Sequence, residues 1–384
     1  MKAIYLDHAA TTPMAEEVVE AMIPVYNEVF GNPSSVHSFG RKARQLMDNA
    51  RRTIAESIHA NEKNIIFTSG ATEANNLALI GTAKANCHKG RHIITTKQEH
   101  HAVLHATEYL EKEGFDVTYL PVYSDGKISV SDLKDALSDD TILVSIMYVN
   151  NETGVIQPIN DIAKVLRDSK VYFHIDAVQA FGLMNIDVQS LGVDLLSVSS
   201  HKINGPNGIG FLYAKEDVPM EPQLYGGEQE RKKRPGTENI AGIVGFQKAI
   251  ELVMENKDKR RKTYEGFRDA FINVLRDEGV DFKINGDIGS IIASTLNISF
   301  PGVNVETLLM SFDLDGIAAS SGSACTAGSI EPSHVLVAMY GKDTERTVNS
   351  VRFSFGIHNT LEDIEEAATR IAKIVNRLTK GERR

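Results

Sequence analysis

The feature that most constrains the fold of this chain is a regular alternation of short apolar runs with amphipathic segments. The apolar runs are rich in β-branched residues and lack polar alternation, which is typical of strands buried on both faces. Amphipathic segments separate them at 72–84, 101–113 and 159–167. This alternation predicts an open α/β sheet, mostly parallel, within residues 13–257. The predicted strands are 65–68, 92–95, 117–120, 142–149, 171–175, 195–198 and 210–213.

The chain is too long for one hydrophobic core. It has 384 residues, and single cores stop growing at about 250–300 residues. The composition changes near Asn256, where the basic run 257–262 is typical of the solvated face of a long helix. Beyond it we expect a second, α+β domain with strands at 295–300 and 351–354 and a helix at 305–314. A last helix carries one apolar stripe and is expected to pack on a small sheet: Leu361, Ile364, Ala368, Ile371, Val375 and Leu378.

Charge and cysteine content exclude several classes of protein. Lys and Arg total 41 against 51 Asp and Glu, and the net charge of −10 argues against nucleic-acid or anionic-membrane partners. Two cysteines, Cys87 and Cys325, cannot form a disulfide framework or a cysteine-based zinc site, and they fit a reducing compartment. The N-terminus lacks a signal-peptide pattern, and no run approaches 18 uncharged apolar residues. We therefore expect a cytoplasmic protein.

Common catalytic motifs are absent from the sequence. It contains no GxxxxGK[ST], GxSxG, HExxH or CxxC pattern, and the glycine-rich stretch 205–210 precedes a predicted strand, which disfavours dinucleotide binding. His101 and His105 lie four residues apart on a predicted helix. Because no third ligand joins them at metal spacing, we interpret them as paired surface histidines.

Three stretches in a fixed order indicate chemistry. Residues 69–76 follow a strand and open a helix, which suits either a phosphate site or a simple helix cap. Asp176 ends an apolar strand, where a carboxylate can hold a protonated ring nitrogen, bind a metal or cap a helix. Lys202 lies among small polar residues before a Gly-Pro turn, and a lysine of lowered pKa can form a Schiff base with an aldehyde.

Together these stretches resemble the aspartate-aminotransferase-fold enzymes that use pyridoxal 5′-phosphate. More narrowly, the chain is similar to cysteine desulfurases of the nitrogen-fixation and iron–sulfur-assembly type. The similarity extends over essentially the whole chain, in motifs at 5–13, 31–35, 99–103, 150–154, 234–237, 321–325 and 351–354. It implies a large cofactor-binding domain at 13–257. Residues 1–12 and 258–384 would form a smaller domain that carries Cys325 and Arg352.

The resemblance also implies roles for individual residues. Lys202 would hold the cofactor covalently and move protons, Asp176 would pair with the pyridine nitrogen, and His100 would stack on the ring. Arg352 would bind the substrate carboxylate, and Thr237 would reach the cofactor phosphate of a partner subunit, which implies a homodimer. The remaining implied contacts are Gln179 to the ring hydroxyl, Ala71, Thr72, Ser199 and His201 to the phosphate, and Asn32 and Asn151 to substrate and cofactor.

Cys325 is the residue that separates a desulfurase from its relatives. It lies among small residues and glycines, which predicts a mobile loop from which a thiolate could take sulfur from L-cysteine as a persulfide and leave L-alanine. The long stretch from Cys325 to Arg352 resembles the desulfurases that feed iron–sulfur scaffolds. The resemblance implies no metal of the protein's own, and Cys325 would share a nascent cluster with the scaffold. Cys87 matches no family motif.

Three alternatives stay open at this point. A selenocysteine lyase or another class V aminotransferase would not need Cys325. A sulfur-carrier scaffold would not need Lys202, Asp176, His100, Arg352 and Cys325 together. The basic run 231–234 is either a solvated turn or an attraction for an anionic substrate or acidic partner.

Overall fold

The computed structural model describes residues 2–322 and 332–381. The strands are β1 (Ile4–Tyr5), β2 (Ile65–Thr68), β3 (His92–Thr96), β4 (Asp116–Leu120), β5 (Thr141–Met147), β6 (Tyr172–Asp176), β7 (Leu195–Ser199), β8 (Gly210–Ala214), β9 (Lys283–Ile284), β10 (Thr295–Ser299), β11 (Ile317–Ala318) and β12 (Ser350–Ser354). The helices are α1 (Glu16–Glu28), α2 (Ser38–Ser57), α3 (Ala71–Asn76), α4 (Thr82–Asn86), α5 (His101–Lys112), α6 (Val130–Ala136), α7 (Ile159–Leu166), α8 (Val188–Leu191), α9 (Ile240–Asp277), α10 (Val305–Leu314), α11 (His334–Tyr340), α12 (Arg346–Asn349) and α13 (Leu361–Gly381).

A seven-stranded sheet forms the centre of the molecule, and it confirms the predicted mostly parallel α/β fold. Its strand order is β2-β8-β7-β6-β5-β3-β4. Only β8 is antiparallel to its neighbours, β2 and β7, so the other six strands end at the same edge. Helices cover both faces, because Ile65 and Phe67 of β2 face one core while Ile66 faces another. Burial on both sides is the reason that these strands read as continuous apolar runs.

Helix α9 is continuous across the composition change at Asn256. Its buried residues up to Val253 belong to the core beneath the large sheet, and those from Tyr264 onward belong to a second core. The second core also contains Ile4 and Leu6 from the N-terminus. This change of core partway along one helix supports a division near residue 257, with the N-terminal residues in the smaller unit, and the division stays a prediction.

The second core lies around a three-stranded antiparallel sheet of order β12-β10-β9. Strand β1 pairs with β11 beside it. In α13, Ile364, Ala368, Ile371 and Val375 are buried and Leu378 packs against the same core, as the stripe predicts. The prediction is wrong for Leu361, whose exposed fraction is 45%. This residue lies in the first turn of the helix, beyond the packed surface. No helix in the part of the chain that the structure describes has both the length and the apolar character to cross a membrane.

Candidate active site

The six co-directed strands bring the candidate residues together at one edge of the sheet. Strand β2 leads into residues 69–72, β6 ends at Asp176, and β7 ends at Ser199 just before Lys202. Strand β3 leads to His100, and β5 leads to Asn151. Ligands of open α/β sheets bind at the carboxyl ends of the strands, so the topology alone places these groups where a site is expected.

The start of helix α3 has the features of an anion-binding site. Gly70 precedes it with φ 152°, ψ −178°, a conformation open to glycine. The backbone N–H groups of Ala71 and Thr72 have no hydrogen-bond acceptor in the described residues, as expected of a first helical turn. A Cβ atom on Gly70 would lie 3.7 Å from the Ser199 hydroxyl oxygen, so that hydroxyl faces this turn. Free N–H groups and a serine hydroxyl suit a phosphate.

A close approach of two backbones holds this turn against strand β8. A Cβ atom on Gly210 would lie 2.8 Å from the Gly70 Cα and 2.6 Å from the Val198 oxygen, so only glycine fits there. Glu73 fastens the turn from the other side. Its carboxylate accepts the Ser69 N–H at 2.6 Å and an Arg234 bond at 2.7 Å. These hydrogen bonds and the charge of Arg234 lower the pKa of Glu73 against the opposing effect of burial, which is the largest single influence.

Asp176 is buried and held by two donors. Its Oδ2 accepts a 2.7 Å bond from the Asn75 side chain, and its Oδ1 accepts the Val178 N–H at 3.0 Å. Asn75 comes from α3, so the helix that opens the phosphate turn also orients the carboxylate. These two hydrogen bonds fix the orientation of the carboxylate.

Lys202 lies just beyond β7 and its amine is surrounded by protein. Nζ donates to the carbonyl oxygens of Ala9 and Ala10 at 2.5 and 2.6 Å. Burial, with a smaller contribution from the positive charge of Arg352, lowers the pKa of Lys202 to about 8, and Asp7 and Asp176 oppose the shift. A neutral amine is therefore accessible near physiological pH, as a Schiff-base lysine requires.

Two histidines flank this lysine. The His100 ring is open to solvent at the N-cap of α5, and its Nδ1 accepts the Ala102 N–H at 3.1 Å. Partial desolvation lowers the pKa of His100, while the charge of Asp176 acts in the opposite direction. His201 Nδ1 lies 3.1 Å from the Thr11 hydroxyl, and burial with the charge of Lys202 lowers the pKa of His201 to about 4. Both imidazoles are thus neutral at pH 7.

Arg352, on β12, brings the second core into the site. Its guanidinium donates to Asp7 Oδ1, the Ser320 hydroxyl and the Asn151 carbonyl at 2.8, 2.8 and 2.9 Å. The side chain is 3% exposed, and its Nε has no partner among the described residues. The side-chain Oδ1 of Asn151 is also buried without a partner. The unpaired N–H of a buried cation indicates a place for an anionic group, and the unpaired amide oxygen indicates a place for a donor of the same ligand.

The N-terminal segment of residues 7–12 is part of the site, and its role could not be assigned from the sequence. Ala9 accepts the Gln179 side chain at 3.0 Å in addition to Lys202. Asp7 pairs with Arg352. Three further side chains that support the site were also not recognised as such: Asn75, Glu99 and Thr11. These side chains act through contacts between segments that are distant in the sequence, and no local sequence pattern indicates such contacts.

Two predicted residues are not joined to the others, and a third lies outside the described residues. Asn32 is exposed in the α1–α2 connection, where its side chain accepts the Ser34 N–H. Thr237 is exposed ahead of α9. Cys325 lies outside the described residues. Cys87 is exposed at the end of α4.

Two further features of the sequence are the histidine pair 101/105 and the basic run 231–234. His101 and His105 contact each other, with their nitrogens 3.4 Å apart, and the His334 ring packs 4.8 Å from that of His101. Within residues 2–322 and 332–381 no group of three or more His, Cys, Asp or Glu side chains is placed to hold a metal. The basic run 231–234 is partly used inside the molecule: Arg231 donates to the Ile65 carbonyl and Arg234 pairs with Glu73.

Comparisons with known proteins agree with this geometry. The family model described as "Aminotransferase class-V" matches residues 4–366. The chain is 57% identical over 379 residues to "Putative cysteine desulfurase IscS 1" of Bacillus subtilis, covering 99% of this chain and 100% of the relative. Among solved structures, a "NIFS-LIKE PROTEIN" superposes with a TM-score of 0.92 at 35% identity, covering 98% of this chain and 100% of the other. "SspA in complex with cysteine" gives a TM-score of 0.82 at 35% identity, covering 93% and 99%.

Proposed function

The chain belongs to the class V aminotransferase family and, within it, to the pyridoxal-phosphate-dependent cysteine desulfurases, and we propose how its residues perform the reaction. The substrate is L-cysteine, the product is L-alanine, and the sulfane sulfur is left on Cys325 as a persulfide. The observation that carries the proposal is the position of Lys202, whose buried amine has a lowered pKa. It lies near the buried carboxylate of Asp176 and the first turn of α3, where backbone N–H groups are available.

The residues of the site fit pyridoxal 5′-phosphate. The free N–H groups of Ala71 and Thr72, with the Ser199 hydroxyl and His201, would hold the phosphate. Asp176 would hold the ring nitrogen, and Gln179 would turn from Ala9 to the ring hydroxyl. When bound, the cofactor supplies an electron-withdrawing ring that stabilises negative charge on the substrate's α-carbon.

The other residues bind the substrate and move protons. Arg352 would donate charge-assisted hydrogen bonds to the substrate carboxylate, with Asn151 and Asn32 assisting. Lys202 would hold the cofactor covalently and then carry protons at the α-carbon, because its amine is close to half neutral at pH 8. His100 would stack on the ring and assist proton transfer as a neutral imidazole. The Cys325 thiolate would attack the substrate sulfur, forming the S–S bond as the C–S bond breaks.

We also propose that the protein works as a homodimer in the cytoplasm and passes its sulfur to an iron–sulfur scaffold or another acceptor. Helix α1 supports the dimer: Val19, Ile23 and Tyr26 are 42–69% exposed at helical spacing, and Phe30, just beyond the end of the helix, is 76% exposed. Thr237 would then reach the partner's cofactor phosphate. Light scattering tests this, because Tyr26→Glu with Phe30→Glu should yield monomers. Leu314→Glu, at an exposed apolar site on α10, should stay dimeric.

The reaction is tested by incubating the purified protein with L-cysteine and a thiol reductant while alanine and sulfide are assayed together. Both should form in equal amounts. Cys325→Ala should retain the cofactor and form neither product, and Cys87→Ala is the matched control that should behave as wild type. Without reductant, mass spectrometry should find one added sulfur on the Cys325 peptide. Full sulfide production by Cys325→Ala would exclude the persulfide step, and activity of that variant on selenocysteine alone would indicate a selenocysteine lyase.

A further inference from the structure

Glu99 is a fully buried acid directly before His100, and none of the roles above uses it. We propose that Glu99 is a positioning residue of the active site that carries its own proton at neutral pH and so places no second negative charge beside Asp176. The functional part of this inference rests on the proposed role of Asp176 toward the cofactor ring.

The Glu99 carboxyl joins the strands on which the site is built. Its Oε1 accepts the Thr96 hydroxyl at 2.7 Å and the Met147 N–H at 3.0 Å, so it links the ends of β3 and β5. Met147 lies opposite Asp176 in the β5–β6 register. The same side chain therefore fixes the strand beside Asp176 and the backbone that leads into His100.

The surroundings of Glu99 favour a neutral carboxylic acid. Its Oε2 is buried and has no partner among the described residues. The titratable groups around it are Asp176 from β6, whose charge acts on the Glu99 carboxyl, the adjacent residue His100 at the N-cap of α5, and His334 from α11, whose Nε2 lies 2.9 Å from the Glu99 carbonyl oxygen. Both imidazoles have lowered pKa values, so neither supplies a positive charge at pH 7.

Asp176 is held by a different set of partners. It receives N–H bonds on both oxygens, from Asn75 and Val178, and its charge interacts favourably with Lys202. Two like charges in one buried region repel each other, and a proton on Glu99 removes that repulsion. Consistent with this, burial and the charge of Asp176 raise the pKa of Glu99 to about 8, although the Met147 and Thr96 bonds act against the shift.

Substitutions of Glu99 in the holoenzyme test the positioning role. Glu99→Gln imitates the protonated acid, because its amide oxygen can accept the same two bonds and its NH₂ replaces the acidic O–H. We expect a kcat within about threefold of wild type at pH 7 and an unchanged cofactor absorbance. Glu99→Leu has a similar volume and no acceptor, and it should lose at least about tenfold in kcat. Equal activity of both variants, high or low, would overturn the positioning role.

The pH dependence of stability tests the proton and does not require activity. Above a pH of about 4.5 the unfolded chain ionises Glu99, whereas the folded protein keeps the proton up to a pH of about 8. Wild type should therefore lose Tm relative to Glu99→Gln as the pH rises from 5 to 8, and the difference should level off above 8. Glu73→Gln is the matched control. The pKa of Glu73 is lowered, so its carboxyl is ionised in both the folded and the unfolded state over this range, and the Tm difference from wild type should stay nearly constant from pH 5 to 8.

A Tm difference for Glu99→Gln that shrinks or stays constant from pH 5 to 8 would show an ionised Glu99 and overturn the proposal. The failure of the proposed function would be recognised separately. If the wild-type protein formed no alanine or sulfide, the Tm comparison of wild type with Glu99→Gln would still test the proton on Glu99.

Discussion

The segment that carries Thr237 depends on a buried ion pair, and we develop this prediction first. Glu230, Arg231 and Lys232 have φ values of 46°, 57° and 66°, three consecutive left-handed residues without a glycine. Such residues cost about 1–2 kcal/mol each relative to the right-handed region. The contacts of Glu230 with Arg51 are the buried charged contacts of this segment that can offset the strain. We predict that Glu230→Gln strongly destabilises this segment.

The magnitude follows from the burial of the pair. The Arg51 and Glu230 side chains are 8% and 2% exposed, and their two hydrogen bonds measure 2.8 and 2.5 Å. Removing one partner of a buried pair leaves an uncompensated charge and costs about 3–5 kcal/mol. The double variant Arg51→Met with Glu230→Gln should regain most of this loss. It leaves no unpaired charge, and the Gln can still accept the Phe67 N–H that Glu230 accepts at 3.0 Å.

Urea unfolding and trypsin digestion measure the effect at two levels. The unfolding free energy of Glu230→Gln should fall by the stated amount, and cleavage after Lys232 or Lys233 should accelerate because the segment opens locally. Lys232→Gln is the control, since its pair with Glu228 is largely exposed and should contribute under about 1 kcal/mol. A Glu230→Gln variant within about 1 kcal/mol of wild type, or a double variant no more stable than the single, would refute the reasoning.

Four further outcomes are expected at the site. Lys202→Ala should lose the visible absorbance of covalently held cofactor, and an unchanged spectrum would remove Lys202 from that role. In wild type the rate of cofactor attachment to the apoprotein should rise with pH through about 8 and then level off, since the neutral amine reacts and the pKa of Lys202 is lowered to about 8. Asp176→Ala should slow turnover by orders of magnitude while the attached cofactor survives, as absorbance and steady-state assays would show. Asp7→Asn should lower the KM for L-cysteine, because the Asp7 carboxylate occupies the Arg352 guanidinium.

The large sheet could be predicted from the sequence because its strands are buried on both faces. A run such as 65–68 has no polar residue to accommodate and therefore leaves a clear signal. The direction of β8 left no such signal, since an antiparallel strand buried between two others has the same composition. The run 257–262 was predicted to be the solvated face of a long helix, and it lies on α9. The pattern did not show that the helix passes from one core to the other at this run.

The chemistry of the site could be predicted where residue type and strand end coincide, as at Asp176 and Lys202. The partners that tune these groups could not. Asn75 reads as an ordinary helical residue, and only the packing of α3 against the sheet brings its amide to Asp176. Glu99 reads as a polar residue before a helix, and only its complete burial changes its chemistry. Protonation states depend on surroundings assembled from several strands, which a linear pattern does not contain.

The N-terminal segment shows why these surroundings matter for function. Before cofactor is bound, a buried ammonium needs acceptors, and the carbonyls of Ala9 and Ala10 supply them to Lys202. Asp7, two residues before Ala9, pairs with Arg352. Its negative charge also opposes the lowering of the pKa of Lys202. One carboxylate therefore acts on the group that holds the cofactor and on the group that binds the substrate. It follows that Asp7→Asn must change two quantities together. The KM should fall, and the pH midpoint of cofactor attachment should move to a lower value, because the neutral amine becomes easier to form. A change in one quantity without the other would mean that the segment serves only one of the two groups.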